Sequence, residues 1–316
     1  MIDTMMLSRK QSSIKQYTVY INNWKKYCKE GQLDPVFTTT VKVLNFLQTL
    51  VDKGLSYSTV CLAKSAIASC VILPNKGQLG LQPEISRFLK GTFNLRPPAV
   101  RHTQIWDPEM VLDWIDKNGD PTHAHTELLV RRLAMLLLLV SGQRPQILRE
   151  LKLSEMTLDK NVAVFRPCVT AFKQSRPGYC PPHIILKNYS NPRLCVFNHL
   201  NIYLSRTASL REGIDQLFIT CKKPFKAATG NTISRWVKTL LKLAGVDTTR
   251  FSAGSARAAS TSKAKEEGAP LSTIMQAAGW SRQSTFTKFY DKPLIRQVSL
   301  ADFVLPKSTG SAEQGC

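Results

Sequence analysis

Over residues 12–29 the apolar and aromatic positions Tyr17, Tyr20, Ile21, Trp24 and Cys28 recur at helical spacing, with Lys25, Lys26 and Lys29 on the other side. This predicts one amphipathic helix with a basic face. Thr38-Thr-Thr40 then precedes Val41, Leu44, Phe46, Leu47, Leu50 and Val51, and the run stops at Gly54. Hydroxyl cap, helical period and terminal glycine together predict a second helix. The small-residue stretch 60–73 predicts a third and 83–90 a shorter fourth, so the first ninety-odd residues read as a compact helical bundle.

Arg96-Pro-Pro98 interrupts this pattern, because tandem prolines cannot continue a helix and stiffen an extended connection. Beyond it, Asp107 followed by Pro108 marks a helix start. Residues 133–140 form an unbroken apolar run that ends at Ser141-Gly142, a buried core helix with Arg144 directly after it. The period changes to two at 162–165 and again at 184–189, which predicts a small antiparallel sheet, with Lys173 near the tip of the hairpin. From Asn231, taken as the N-cap, Ile233, Trp236, Val237, Leu240, Leu241 and Ala244 define another amphipathic helix, closed by Gly245. Its outward Arg235, Lys238 and Lys242 suit phosphate contact or simple solvation. Three short helical segments follow: one opening at Arg257, one over 270–279, and one ending at Tyr290 and broken by Pro293.

Charge narrows the class of partner. With 43 Lys and Arg against 22 Asp and Glu, the net charge of +21 on 316 residues points to a polyanion, nucleic acid first. No run is long enough for a membrane helix. The opening Met1-Ile-Asp-Thr-Met-Met lacks the basic start and apolar stretch of a secretory signal, and the eight cysteines are scattered as reduced thiols are. An intracellular protein is expected. Cys180, His183, Cys195 and His199 have the ligand types of a zinc site, but a proline-rich turn separates them from any shared element, and no metal site is expected.

Arg144, Arg257, Trp280 and Tyr290 make up the chemical set. Two guanidiniums can grip one phosphate bidentately, and a tyrosine hydroxyl beside them can act as a covalent nucleophile. Arg257 stands early in its helix, where backbone N–H groups also favour an anion. Such a set suggests phosphoryl transfer on a DNA backbone.

In this order, Gly-x-Arg144, the hairpin lysine Lys173, Arg257, Gly279-Trp280 and Tyr290 resemble the tyrosine recombinase family of phage integrases and Xer-type enzymes. Further motifs look closest to the recombinases of DIRS and Ngaro retrotransposons: Thr18-x5-Trp24-x2-Tyr-Cys28, Gly142-Gln-Arg-Pro-Gln146, Lys173-Gln-Ser-Arg-Pro-Gly178, Ser260-Thr-Ser-Lys-Ala and Ala278-Gly-Trp-Ser. The resemblance implies a mainly α fold: a helical core-binding, SAM-like domain at 10–95, a linker at 96–105, a mixed α/β catalytic domain with a small antiparallel sheet at 106–298, and a polar tail at 299–316. Together the domains would clamp duplex DNA as a C.

The implied activity is site-specific cutting and rejoining of DNA through a 3′-phosphotyrosyl intermediate, for integration of a mobile element in the nucleus. It would use a tetramer on two duplexes, with neither cofactor nor metal and no membrane. By resemblance Tyr290 is the nucleophile, Arg144 and Arg257 neutralise the phosphorane, Lys173 protonates the leaving oxygen and Trp280 buttresses the phosphate. Two positions depart from the family pattern: Gly254 stands where its His-x-x-Arg histidine is usual, and Ile147 where an acidic residue is often found, with Glu150 nearby as a substitute. A catalytically impaired DNA-binding protein on the same fold is therefore the alternative. A basic helical adaptor for RNA or membranes accounts for the charge but not for the ordered residue set.

Overall fold

The computed structural model describes residues 11–75, 77–98, 103–172, 175 and 177–295. The chain divides into two compact units, Met1–Arg101 and His102–Cys316. The proposed tail at 299–316 lies outside the described residues.

The first unit is built on α1 (Gln11–Glu30), α2 (Thr40–Asp52), α3 (Tyr57–Ile67) and α4 (Pro83–Leu95). Trp24, Val43, Leu47, Val60, Ala63 and Ile67 bury its core, so the 3.6-residue spacing carries each apolar stripe inward. Thr39 and Ser56 cap α2 and α3 through their hydroxyls. Helix α3 ends at Ile67 rather than at the expected residue 73. Ile72 turns back to pair with the segment before α2, its N–H reaching Val36 O at 2.8 Å while Thr38 N–H reaches Ile72 O at 3.2 Å. Helix α4 runs past the expected residue 90, because Gly91 stays helical and Thr92 is buried one position on. Arg96 then ties into the bundle, donating from Nη1 to the carbonyls of Val51 and Leu55 at 2.7 and 3.2 Å.

The second unit opens with β1 (Ile105–Trp106), α5 (Pro108–Lys117), α6 (Thr126–Ser141) and α7 (Pro145–Glu150). Strands β2 (Met156–Leu158), β3 (Val162–Phe165) and β4 (Ile184–Lys187) form an antiparallel meander, Phe165 opposite Met156 on one side and Ile184 on the other. Ala163, Phe165, Ile184 and Leu186 face the core, as period-two alternation requires. Then come α8 (Val196–Thr207), α9 (Gly230–Leu243), α10 (Ala256–Glu266), α11 (Leu271–Ala278), α12 (Gln283–Phe289) and β5 (Leu294–Ile295).

Helix α6 is the axis of this unit. Leu129, Val130 and residues 133–138 are buried all round it, and α8, α9 and α10 pack against it. The N-cap of α9 is Thr229 rather than Asn231, its Oγ1 accepting from Thr232 N at 3.2 Å. Helix α10 approaches closely because its buried face is Ala, Ser and Thr; Thr261 Oγ1 returns its proton to Arg257 O at 2.7 Å. Strand β5 pairs in parallel with β1, Leu294 opposite Ile105 and Ile295 opposite Trp106. The segment just after Tyr290 is thereby fastened to the start of the unit. No described helix is long and apolar enough to cross a membrane.

Candidate active site

The end of α6 places the first arginine. Gly142 takes a left-handed conformation (φ 59°) that terminates the helix, a geometry that costs an L side chain. A β-carbon there would also meet Thr261 Cγ2 at 3.4 Å. The chain turns, Gln143 clips it to α11 by donating to Ala277 O at 2.5 Å, and Arg144 emerges half-buried as the residue capping α7. Its Nη2 donates to the hydroxyl of Tyr290 at 3.3 Å.

Arg257, only 1 % exposed, does not lie along the solvent end of its helix. It points inward and joins two loop carbonyls, donating from Nη1 to Gly142 O at 2.9 Å and from Nη2 to Ala278 O at 2.7 Å. The glycines that end α6 and α11 are thus arranged around one guanidinium. Its Cζ lies 4.4 Å from the centroid of the Trp280 ring and 5.4 Å from that of Tyr290. Burial pulls its pKa down to about 10, the like charge of Arg144 adds to that, and the phenols of Tyr290 and Tyr179 oppose it. Arg257 therefore stays cationic at neutral pH.

Trp280 completes the wall. Gly279, left-handed at φ 69°, stops α11 and turns the chain into it. Its ring contacts Tyr290 at 4.5 Å between centroids and Phe286 at 5.5 Å. Buried Phe286 anchors α12, and Tyr290 follows as the residue that ends this helix. Ser262 of α10 donates to Tyr290 O at 2.7 Å and accepts from Lys292 N at 3.1 Å. These bonds hold the main chain on both sides of the tyrosine hydroxyl.

Two like charges therefore stand beside one hydroxyl. Among the described residues no carboxylate pairs with either guanidinium; the ion pairs lie elsewhere, as where Lys263 joins Glu109 and Glu267. Arg257 Nε and Trp280 Nε1 are buried without a hydrogen-bond partner. Unpaired buried donors are costly, and a tetrahedral or five-coordinate oxyanion would satisfy both and offset the repulsion.

The structure thus brings together Arg144, Arg257, Trp280 and Tyr290, while Lys173 lies outside the described residues. Gly254 sits exposed on the short 3₁₀ turn Ala253–Ser255, and a β-carbon built on it meets only Ser252 Oγ, at 3.6 Å. That turn is braced by Trp106, whose indole N–H reaches Ser255 Oγ at 2.8 Å. Ile147 is packed in the core, and Glu150 pairs with Arg149 at 3.6 Å. Cys195 and His199 are buried at the start of α8, while Cys180 and His183 are exposed; among the described residues no cluster could hold a metal. Ser262, Gln143 and Trp106 position the set without having carried any chemical signal in the sequence. Only the tertiary fold reveals what they touch.

The model of the phage integrase family matches residues 117–294. Among solved structures, the chain is similar to XerH site-specific recombinase bound to palindromic difH substrate in a post-cleavage complex, with a TM-score of 0.55 and 16 % identity over 80 % of this chain and 69 % of that one. It is similar to a lambda integrase dimer bound to a COC′ core site, at 0.54 and 16 % over 94 % and 95 %. It is also similar to the Tn1549 transposon integrase in complex with transposon right end DNA, at 0.51 and 15 % over 80 % and 81 %. At these identities the likeness is one of fold. No curated protein matches the sequence.

Proposed function

The chain belongs to the phage integrase family, and from that premise we propose that it is a tyrosine recombinase that cuts and rejoins DNA through Tyr290. The observation that carries this reading is the Arg144 to Tyr290 hydrogen bond at 3.3 Å beside a second, carboxylate-free guanidinium. A phosphodiester seated there would face the Tyr290 oxygen with Arg144, Arg257 and the Trp280 indole donating to its non-bridging oxygens. The Tyr290 Oη–P bond forms as the P–O5′ bond breaks; the tyrosyl proton passes to a solvent base, and O5′ takes a proton from Lys173. Attack by a 5′-hydroxyl then reverses both bonds, so phosphodiester energy is conserved and the step needs no nucleotide. Positioned charge of this kind supplies the largest part of such a barrier reduction.

The subclass motifs extend the proposal to a recombinase of the DIRS or Ngaro type, integrating a mobile element in the nucleus as a tetramer on two duplexes. Its net charge of +21 supports DNA as the partner. Gly254 favours a second reading, a recombinase-fold DNA binder with impaired chemistry, since loss of a general acid/base typically costs about 10²- to 10⁴-fold. The test is incubation with nicked duplex carrying the repeats that flank its own coding sequence. A protein–DNA adduct on a denaturing gel, absent in Tyr290→Phe, supports the enzyme; DNA binding with no adduct supports the second reading.

A further inference from the structure

Beside Trp280 a cleft of about 930 Å³ opens between the end of the β3–β4 connection and α11, lined by Tyr179, His183, Ser141, Gly279, Trp280 and Ser281. Tyr179 is half-buried, and its ring packs on that of buried Phe172 at 5.8 Å between centroids. The hairpin segment that follows Lys173 thus delivers a phenol to the wall that also carries the indole. The same phenol acts electrostatically on the Arg257 guanidinium, so it belongs to the neighbourhood of the arginine pair and not only to the rim. Across from it, Gly254 offers no side chain, and the buried indole N–H of Trp280 has no partner.

We propose that the Tyr179 hydroxyl is a further phosphate ligand of this site, donating to a non-bridging oxygen and supplying from the hairpin side the polar contact that Gly254 cannot make. The proposal rests on the phosphate-binding reading of the Arg144, Arg257 and Tyr290 cluster. A phenol can do this at neutral pH because it carries its proton to the oxyanion and need not lose it. It positions and stabilises, and no proton is consumed. A tyrosine hydroxyl bonded to a developing negative charge belongs to the stronger class of hydrogen bond.

Orthovanadate, which mimics the five-coordinate phosphate, tests this without turnover. It is titrated by calorimetry into the full chain, into Tyr179→Phe and into His183→Asn, with each variant's melting temperature recorded. Tyr179→Phe keeps the ring contact with Phe172 and is expected to melt with the parent, to bind orthovanadate on the order of tenfold more weakly, and to form the nicked-DNA adduct correspondingly more slowly. His183→Asn, exposed on the same loop, is expected to bind as the parent does. Equal affinity in Tyr179→Phe, or a loss confined to His183→Asn, overturns the assignment while leaving the arginine site standing. Failure of the parent chain itself to bind orthovanadate overturns the phosphate site and the assignment together.

Discussion

Arg144 and Tyr290, separated by 146 residues of sequence, meet through a single hydrogen bond of 3.3 Å from guanidinium to phenol oxygen. The contact exists because two glycine-terminated helices, α6 and α11, end on either side of the buried Arg257, whose two N–H groups hold their carbonyls. One cation is thus spent on building the site while the other faces the hydroxyl.

Arg257→Lys is expected to lower the rate of adduct formation on nicked DNA by two orders of magnitude or more, as typical for removing a donor that stabilises the transition state. A point-charge ammonium cannot span the carbonyls of Gly142 and Ala278 and still address a phosphate. The check is single-turnover kinetics together with DNA affinity measured by gel shift, which is expected to change far less.

Gly142→Ala should destabilise the catalytic unit by about 1–2 kcal/mol, the cost of forcing an L residue into the left-handed region. Chemical denaturation measures this. Because the Gly142 carbonyl holds Arg257, the variant is also expected to lose adduct formation out of proportion to its loss of stability.

Ser262→Ala removes the hydroxyl that fixes the main chain on both sides of Tyr290. The expected result is unchanged DNA affinity, a stability loss of about 1 kcal/mol, and adduct formation slowed by roughly five- to tenfold as the nucleophile wanders. A variant that cleaves at the parent rate would show that α12 is held by Phe286 and Trp280 alone.

His199 gives the unit a pH dependence. Its ring is fully buried, and burial, aided by the charge of Arg132, holds its pKa down at about 4, against the weaker opposing pull of the Cys195 carbonyl. The unfolded chain, with a histidine near 6.5, binds the proton more readily, so stability is fully present above about pH 6.5 and is lost as pH falls toward 4. The shift corresponds to about 3 kcal/mol across that window. Thermal melts from pH 7 to 4 should show this slope, and His199→Gln should flatten it.

Helical stripes and capping residues made much of the fold readable: the apolar run at 133–140 became the buried axis, and the hydroxyls before α2 did cap it. The end of α3 was not readable, because Ile72 leaves the helical pattern to pair with a segment far away in sequence. Nor was the β1–β5 pairing, whose two-residue strands are too short to show a period. Arg144, Arg257, Trp280 and Tyr290 could be picked out by residue type and order. Ser262 and Trp106 could not, since a serine in a small-residue helix and a tryptophan before a proline carry no chemical signature until the fold gives them partners.

The central claim is that Tyr290 attacks a phosphodiester. Its most direct test is peptide mapping by tandem mass spectrometry of protein incubated with nicked duplex carrying its own flanking repeats and then digested with nuclease and protease. The account predicts a nucleotide joined through a 3′-phosphate to the peptide containing Tyr290, absent in Tyr290→Phe and formed faster in Gly254→His. A nucleotide on Tyr179 or Tyr189, or no adduct in either the parent or the Gly254→His protein while both bind the DNA, would contradict it.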